Sequence, residues 1–396
     1  MQRRGFLKAL AGAALVGPEL YPAASGARET SGNAPVRIGL MLPYTGAYAQ
    51  LGTNITNGFR LAMAERGQRL AGRGVEILTL DDESNPAKAP ENAHRLVSRD
   101  KVDVLVGSVH SGVALGMARV VRETGTPWIN PNAGAAEITG SLCAANVFRT
   151  SFSNWQTIYP LGQVLRARGH RSAVFLTWRY VAGEEAAAAF REGFEQAGGK
   201  VVKELYLPFP QTDFQALLTE IAALKPDAVG TFISGAGAIK FLKDYAAAGL
   251  RGRIPLYGSG FLTDGILDEV GDVAEGIETT LHYGDGIENK KNQAFRLAYA
   301  KTFKLQPDVY AVQGYDAGQL LALGVEAVQG AVGRRAELLS AMAKAKIDSP
   351  RGRLVFSSAH NPIQDIYLRK VVGRENRVIG VAHKALADPG RGCKMA

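Results

Sequence analysis

Residues 102–124, which read VDVLVGSVHSGVALGMARVVRET, contain the unit that decides the fold. The almost continuously apolar run at 102–108 is typical of a strand that is buried on both faces of a parallel sheet. A short turn follows, and a helical pattern of apolar residues then extends from His110 to Thr124. A buried strand that passes through a turn into an amphipathic helix is one strand–helix unit of an α/β fold.

The same unit recurs in both directions along the chain. Around it the pattern predicts strands at 36–43, 75–82 and 126–132 and helices at 52–66 and 86–100. A second array starts with a β-rich run at 146–152 and has strands at 172–178, 200–208, 227–234 and 254–260, with helices at 153–168, 183–197, 213–224 and 237–248. The last third has long helices at 293–303, 310–328 and 335–345 and β-rich segments at 353–358, 363–372 and 377–383.

Two consecutive arrays of similar size predict two α/β lobes, each with a parallel sheet covered by helices. The last third breaks the alternation, and the simplest explanation is that the chain returns to both arrays and completes them. We therefore expect lobe one to comprise 35–152 plus 284–345, and lobe two to comprise 153–283 plus 346–396.

Residues 1–27 have the features of an export signal. Arg3 and Arg4 form a basic start, an apolar run follows at 9–16, and a stretch of small residues ends at Ala27. The paired arginines favour the twin-arginine route, and an ordinary Sec signal is the alternative. Either route predicts a periplasmic protein. No later run reaches the ~18 apolar residues of a membrane helix, so we expect a mature protein that does not span the membrane.

Composition and charge exclude several other classes of protein. The 396 residues suffice for two domains of ~100–200 residues each. The formal net charge is +9, but Lys and Arg are dispersed without interleaved aromatic residues, which argues against nucleic-acid binding. The two cysteines, Cys143 and Cys393, are too few for a metal site. In an oxidising compartment we expect them to form a disulfide that holds the C-terminal tail.

Ligands of open α/β sheets lie beyond the carboxyl ends of the strands, and small residues follow several of those ends here. The first such turn, after 102–108, contains His110, Ser111 and Gly112 at the start of a helix, whose free N–H groups are suited to a carboxylate. Ser111 would either bind the ligand or serve only as the helix N-cap. The second turn, Asn132, Ala133 and Gly134, should converge on the same cleft.

Aromatic residues near the strand ends would suit a planar ligand, although each one alone is equally compatible with core packing. The full set of candidate binding residues adds, to the two turns above, Tyr48, Gln50, Trp155, Tyr180, Gly235, Ser259, Gly260, Phe261 and Tyr283.

Sequence motifs of catalysis are absent. The chain has no G-x-S-x-G elbow, no G-x-x-x-x-G-K-[ST] loop and no H-E-x-x-H helix. His110 adjoins Ser111, but neighbours in sequence do not make a catalytic dyad, because geometry decides that. We predict no enzymatic activity, no cofactor and no metal.

Several of these segments together resemble a known family. VRIGLMLPYTGAYAQLG (36–52), VLVGSVHSGVALGM (104–117), PWINPNAGA (127–135) and CAANVFRTSFSNWQ (143–156) resemble the periplasmic solute-binding proteins of ABC transporters, in the leucine/isoleucine/valine-binding-like family. The resemblance covers essentially the whole mature chain in the right order. It implies the type I fold: two Rossmann-like α/β lobes joined by three crossover strands, with the ligand in the cleft between them.

The resemblance also implies a ligand class. Amino-acid binders of this family hold the carboxylate at a turn that Ser111 and 132–134 would match, and hold the ammonium group with an acid from lobe two. The corresponding segment, GSGFL at 258–262, has no carboxylate, and Asp264 comes too late. A buried, unpaired ammonium group is costly. The segments VHSGVALGM, FRTSFSNWQ and DPGRGCKM moreover resemble the branch that binds aromatic acids. We therefore expect a benzoate, hydroxybenzoate or phenylpropenoate, with an aliphatic amino acid as the alternative.

The expected mechanism is capture by closure of the two lobes. The two turns would hold the carboxylate, Tyr48, Trp155, Tyr180 and Phe261 would enclose the ring, and lobe two would close through Tyr180, Gly235 and 259–261 by a hinge motion. The partners would be the permease and ATPase subunits of the transporter, and we expect a monomer. A ligand-sensing regulator and an enzyme on the same scaffold are the alternatives from other classes.

Overall fold

Two β-sheets organise the chain in the computed structural model, which describes residues 34–395. We call the part built around the six-stranded sheet lobe one and the part built around the eight-stranded sheet lobe two. The expected export signal at 1–27 lies outside the described residues. The two-lobed α/β fold of the type I periplasmic binding proteins is confirmed.

The sheet of lobe one has the strand order β2-β3-β1-β4-β5-β6. All its strands except the short β2 run parallel, and β1 lies between β3 and β4. The strands are β1 (Val36–Leu42), β2 (Arg69–Leu70), β3 (Arg73–Asp81), β4 (Val104–Val106), β5 (Trp128–Asn130) and β6 (Val147–Arg149). Before the chain first passes into lobe two, the helices of lobe one are α1 (Ala49–Ala64), α2 (Ala89–His94) and α3 (Ser111–Thr124).

The sheet of lobe two has the order β14-β15-β11-β10-β9-β7-β8, and β16 pairs with β15. Strands β7 to β11 run parallel, whereas β15 is antiparallel to β11 and β16. The strands are β7 (Ser172–Arg179), β8 (Lys200–Pro208), β9 (Ala228–Phe232), β10 (Leu256–Ser259), β11 (Glu278–Leu281), β14 (Val355–Phe356), β15 (Pro362–Val372) and β16 (Glu375–Leu386). The helices are α4 (Asn154–Ala167), α5 (Val181–Gln196), α6 (Gln215–Leu224), α7 (Gly235–Ala247) and α8 (Leu267–Val270).

The last third of the chain contributes elements to both lobes. Helices α9 (Lys290–Phe303), α10 (Val309–Ala327) and α11 (Arg335–Ala343) complete lobe one, where α10 packs along α1. The chain then forms a small hairpin of β12 (Asp348–Ser349) and β13 (Gly352–Arg353) and enters lobe two. Among residues 34–395, no helix combines the length and the apolar composition that crossing a membrane requires.

Three segments connect the lobes, at 150–153, 282–289 and 344–354. Arg351 of the third segment is buried, lies 3.1 Å from the Asp316 carboxylate and donates to the Ser151 carbonyl of the first segment at 3.1 Å. One guanidinium group therefore joins two of the three connections to helix α10.

The C-terminal tail crosses back from lobe two to lobe one. Cys393 forms a disulfide with Cys143, which lies in the loop before β6, as the sequence led us to expect. Asp388 accepts a hydrogen bond from the Ser153 hydroxyl, and Arg391 contacts Glu192 at 3.4 Å. The tail is therefore a fourth link between the lobes, and it is closed by a covalent bond.

Several elements differ from the sequence-based expectation, among them the short β2, α8 and β12, which were not predicted. The helix predicted at 86–100 is a regular α-helix only over α2, and it continues at 95–99 with π-helical hydrogen bonding. Strand β11 was not predicted, because it is only four residues long. Its sequence, ETTL, is mostly polar and lacks the apolar run that marks the other central strands.

Candidate ligand-binding site

A buried cavity lies between the lobes, beyond the carboxyl ends of strands from both sheets. Its volume is about 20 Å³, far below the ~300–1,000 Å³ of ligand pockets, so the two lobes are tightly closed around it. None of its fourteen lining residues is charged, and six of them are aromatic. The lining residues are Tyr48, Leu51, Val109, Ser111, Asn132, Gly134, Phe152, Asn154, Tyr180, Ala182, Phe232, Ser234, Phe261 and Tyr310.

The start of helix α3 forms one wall of the cavity. Its N-cap is His110, whose ring Nδ1 accepts the N–H groups of Gly112 at 3.1 Å and Val113 at 3.4 Å. The alternative that Ser111 is only an N-cap is therefore wrong. The Ser111 hydroxyl is buried and has no partner among the described residues. It borders the cavity at the positive end of the helix dipole.

His110 and Gly112 do not line the cavity themselves. Burial lowers the pKa of His110 to about 4, so the ring is neutral near pH 7 and can act as the acceptor that the cap requires. The Gly112 amide is used in that cap, and a Cβ at Gly112 would lie 2.8 Å from the Pro86 ring. Both residues shape the start of α3, and the geometry does not bring either to the cavity.

The turn at 132–135 forms the adjoining wall, and Arg149 lies behind it. This guanidinium is fully buried and donates to the carbonyls of Ala133 and Ala135. Because the C=O and N–H groups of a trans peptide point in opposite directions, the N–H of Gly134 points away from Arg149. Gly134 borders the cavity on that side, whereas Ala133 does not border it. A buried cation thus lies behind a turn that offers an N–H group.

Asn154 presents an acceptor to the cavity wall. Its side-chain N–H donates to Glu185 at 2.7 Å, and Glu185 also accepts the backbone N–H of Ala136 at 3.0 Å. The Glu185 carboxylate accepts hydrogen bonds only, so the NH₂ group of the Asn154 amide must face it and the amide oxygen must point the other way. The Asn154 Oδ1 atom is buried next to Gly134 and has no partner among the described residues. A hydrogen-bond donor on the ligand would satisfy it.

Aromatic rings form most of the remaining surface. The Phe261 ring lies 4.7 Å from that of Phe152, 6.1 Å from that of Phe232 and 5.8 Å from that of Tyr310, between ring centroids. The Tyr310 hydroxyl is buried and has no partner among residues 34–395. Because burial raises its pKa, the phenol stays neutral and able to donate.

The hydroxyl groups of Tyr48 and Tyr180 meet across the cleft, 3.0 Å apart. Tyr48 precedes α1 in lobe one, and Tyr180 follows β7 in lobe two. Burial raises the pKa of Tyr48 to about 12 and raises that of Tyr180 as well. The pair therefore remains a neutral hydrogen bond between the lobes.

Two predicted residues lie elsewhere because of their phase on a helix. Trp155 is half-buried between α4 and α5, where it stacks on Tyr159 and donates to Glu192 at 3.1 Å. The neighbouring Asn154 lines the cavity instead. Gln50 is exposed on α1 and bonds to Asn54, while Leu51 lines the cavity. Successive helical residues point about 100° apart, so an error of one position moves a side chain to another face.

Four further predicted residues do not line the cavity. Gly235 has a φ of +59°, and a Cβ there would lie 2.8 Å from the Ala47 carbonyl oxygen of lobe one. The glycine therefore lets the backbones of the two lobes approach each other closely. Ser259 and Gly260 are buried in lobe two, and the Gly260 carbonyl accepts from Arg369. Tyr283 is buried in the second connection, where its hydroxyl donates to Asn292.

Asp264 does not reach the cavity. Its carboxylate is buried and pairs with Arg369 at 2.6 Å, and it also accepts the backbone N–H of Val309 at 3.1 Å. The lobe-two wall of the cavity therefore has no free acid, in agreement with the GSGFL segment. No group of three or more His, Cys, Asp or Glu side chains suited to a metal ion occurs in the described part of the chain.

Several lining residues were missed by sequence reasoning. They are Leu51, Val109, Phe152, Asn154, Ala182, Phe232, Ser234 and Tyr310. Phe232 and Ser234 lie at the carboxyl end of the strand predicted at 227–234, so the strand-end rule that selected Gly235 could have included them. Tyr310 could not be found in this way, because α10 is brought to the cleft only when the chain returns to lobe one.

The chain is similar in sequence and in fold to periplasmic binding proteins. A family model described as periplasmic binding protein matches residues 35–376. The chain is similar to a solute-binding protein of an ABC transporter from R. palustris in complex with benzoate, with 49% identity, a TM-score of 0.90 and coverage of 91% of this chain and 100% of that one. A solute-binding protein from Rhodopseudomonas palustris BisB5, in complex with 3,4-dihydroxy benzoic acid, has 31% identity, a TM-score of 0.85 and coverage of 90% and 99%.

A more distant similarity concerns proteins named for amino acids. Leu/Ile/Val-binding protein homolog 6 from Brucella melitensis biotype 1 is 30% identical over 370 residues, which cover 90% of this chain and 93% of that protein. All of these similarities extend over both lobes.

Proposed function

We propose that this chain, which belongs to the periplasmic binding protein family, binds a small aromatic carboxylate of the benzoate or hydroxybenzoate type. At the coarser level the chain is a non-enzymatic solute-binding protein of an ABC transporter. One observation carries the finer proposal: the cavity has six aromatic side chains, no charged side chain and three buried polar atoms that have no partner among residues 34–395.

The carboxylate is assigned to the wall made by α3 and the turn at 132–135. The Ser111 hydroxyl is an unused donor at a helix N-terminus, where the helix dipole favours an anion. The Gly134 N–H adds a second donor, and Arg149 behind the turn supplies a positive charge within the protein. An anion is therefore stabilised there without direct contact with a charged side chain.

The body of the ligand is assigned to the aromatic walls. Phe152, Phe261 and Tyr310 offer ring faces, and aromatic pairs contribute about 0.5–1.5 kcal/mol beyond their area burial. An ammonium group would meet no free acid, because Asp264 is paired with Arg369. The benzoate and 3,4-dihydroxybenzoate complexes of the similar R. palustris proteins support the same ligand class.

A panel of related ligands tests the proposal by isothermal titration calorimetry. Benzoate and 4-hydroxybenzoate should bind. Benzamide, which lacks the charge, and cyclohexanecarboxylate, which lacks the planar ring, should each bind more weakly. Tighter binding of leucine than of every aromatic acid would contradict the proposal. In a parallel thermal-denaturation series, a ligand at ~100 times its Kd should add about 2.7 kcal/mol of stability.

Ser111→Ala tests the assignment of the carboxylate. A hydrogen bond to a charged group contributes about 1.5–3 kcal/mol, so benzoate affinity should fall about 10- to 100-fold. Ser84→Ala is the matched control, because the Ser84 hydroxyl is also buried and has no partner in the described part of the chain but does not border the cavity. Equal affinities in the two variants would contradict the assignment.

An aliphatic amino acid is the second candidate, and Asn154 is the observation that favours it. Its Oδ1 atom needs a donor, which an ammonium group would supply as well as a ligand hydroxyl would. The similarity to the Brucella melitensis Leu/Ile/Val-binding homolog is consistent with that ligand. Competition between leucine and 4-hydroxybenzoate for one site separates the two candidates.

A further inference from the structure

We propose that Phe209 closes the mouth of the cavity by packing between the two lobes and thereby sets the rate at which the ligand leaves. The inference rests on the proposed function in one respect, because it takes this cavity to be the ligand site. Phe209 was not among the residues that sequence analysis selected, and it does not line the cavity.

The Phe209 ring contacts rings from both lobes. Its centroid lies 5.2 Å from that of Tyr48 and 5.0 Å from that of His110, both in lobe one. It lies 5.2 Å from the Trp178 ring and 5.1 Å from the Tyr180 ring, both in lobe two. One side chain therefore joins four aromatic residues across the cleft.

The ring lies on the outer side of the cavity wall. Tyr48 and Tyr180 line the cavity and bond to each other through their hydroxyl groups. Phe209 packs against both of them and is itself partly exposed, whereas Tyr48 is only 2% exposed. A ligand that leaves between these two tyrosines must displace the Phe209 ring.

The segment that carries Phe209 is fixed to lobe two. It follows β8, and the indole N–H of Trp178 donates to the Gln211 carbonyl at 2.7 Å. A turn bond joins the Gln211 N–H to the Pro208 carbonyl at 2.8 Å, and Phe214 is fully buried at the start of α6. The ring therefore moves with lobe two when the lobes separate.

Its partners in lobe one are equally fixed. The His110 ring is oriented by the two N–H groups that it caps at the start of α3, and Tyr48 is buried ahead of α1. Opening of the cleft breaks the contacts of Phe209 with Tyr48 and His110 and keeps those with Trp178 and Tyr180. These two aromatic contacts consequently stabilise the closed state and not the open one.

Stopped-flow kinetics with wild type and Phe209→Ala tests the proposal. Because two aromatic contacts are lost from the closed state only, the dissociation rate should rise about tenfold. The association rate should change by less than about threefold, since the open state keeps its structure. The factor should be equal for benzoate and 4-hydroxybenzoate, because Phe209 does not touch the cavity.

Two further variants separate this role from a general loss of packing. Phe303→Ala removes a similarly half-buried ring on α9, in contact with Tyr299 of the same helix, and should leave the dissociation rate unchanged. Phe209→Tyr retains the ring and should restore slow dissociation.

An unchanged dissociation rate in Phe209→Ala, or an increase that differs strongly between ligands, would overturn the proposal. A wild-type protein that binds leucine but no aromatic acid would contradict the proposed function alone, and the same comparison with leucine as the probe would still decide the role of Phe209.

Discussion

The His110 imidazole caps helix α3, and it can do so only while it is uncharged. As the N-cap of α3 it accepts two backbone N–H groups through Nδ1, so the ring must be neutral to serve. This arrangement leaves the hydroxyl of Ser111 unused by the helix. The cap residue therefore makes the next residue available for a ligand.

The pH dependence of stability tests this neutral cap. Burial lowers the pKa of His110 to about 4 from the 6.5 of free histidine, so between these values the unfolded chain binds a proton that the folded protein does not bind. Stability should fall as the pH falls from 6.5 to 4, by up to about 3 kcal/mol. His110→Asn keeps a cap acceptor but does not titrate.

The measurement is urea denaturation of wild type and His110→Asn at a series of pH values. The stability of wild type relative to the variant should decline from pH 6.5 to 4. Burial raises the pKa of Asp308 to about 7, which acts in the opposite direction, but it does so in both proteins and cancels in the difference. A constant difference across this range would show that His110 is protonated in the folded state.

At the scale of elements, the packing of α1 against α10 brings the last third of the chain to the site. Gly58 and Gly314 let the two backbones touch: a Cβ at Gly58 would lie 1.9 Å from the Ala311 oxygen, and a Cβ at Gly314 would lie 1.9 Å from the Ile55 oxygen. Tyr310 reaches the cavity from the first turn of α10. The distance between these helices therefore sets one wall of the site.

Gly314→Ala should force the two helices apart. Overpacking costs about 1–3 kcal/mol, and more where the clash is with backbone, so the loss should exceed the gain in helix propensity of about 1 kcal/mol. Chemical denaturation should show a net loss of about 2 kcal/mol, and benzoate affinity should fall as Tyr310 shifts. Gly380→Ala is the control, because no atom lies within 4 Å of its Cβ position. Equal stability of the two variants would argue against the close helix contact.

At the scale of the whole molecule, the C-terminal tail constrains the two lobes. The disulfide joins residues 250 positions apart in sequence and ties the end of lobe two to the loop before β6 in lobe one. Closing so long a loop restricts the unfolded chain strongly. The bond therefore stabilises the protein through the unfolded state as well as through the tail contacts.

Cys393→Ser should lower the free energy of unfolding by about 2–4 kcal/mol. Denaturation of wild type with a reductant should show the same loss, whereas the reductant should not affect Cys393→Ser further. A variant as stable as the oxidised wild type would show that the disulfide does not contribute.

Much of the fold followed from local pattern, because strands buried on both faces read as continuous apolar runs. β4 and β9 are such strands, and both were predicted. Strand β11 was not, because ETTL is held in the sheet by its neighbours β10 and β15 and not by its own composition. Local sequence pattern identifies strands whose own residues are continuously apolar. It misses strands that form only because neighbouring strands supply their hydrogen bonds.

Part of the site was predictable for the same reason. Six of the predicted residues line the cavity: Tyr48, Ser111, Asn132, Gly134, Tyr180 and Phe261. Each lies within a few residues of the end of a predicted strand, where sheet topology alone directs a ligand. Trp155 and Gln50 do not line the cavity, because the exact rotation of a helix depends on what it packs against.

The sequence by itself therefore determined that the chain folds as two α/β lobes with small turns and aromatic residues at the strand ends, since these features depend on local periodicity and composition. Only the tertiary structure decided which face of each helix meets the cavity, that His110 and not Ser111 caps α3, and that Phe209 bridges the lobes. The helix faces and the contacts of Phe209 join residues far apart in sequence, so packing of one lobe against the other selects them and no periodicity within a segment records it. The cap is local, but it needs the burial that keeps the His110 ring neutral, and burial is a property of the folded chain.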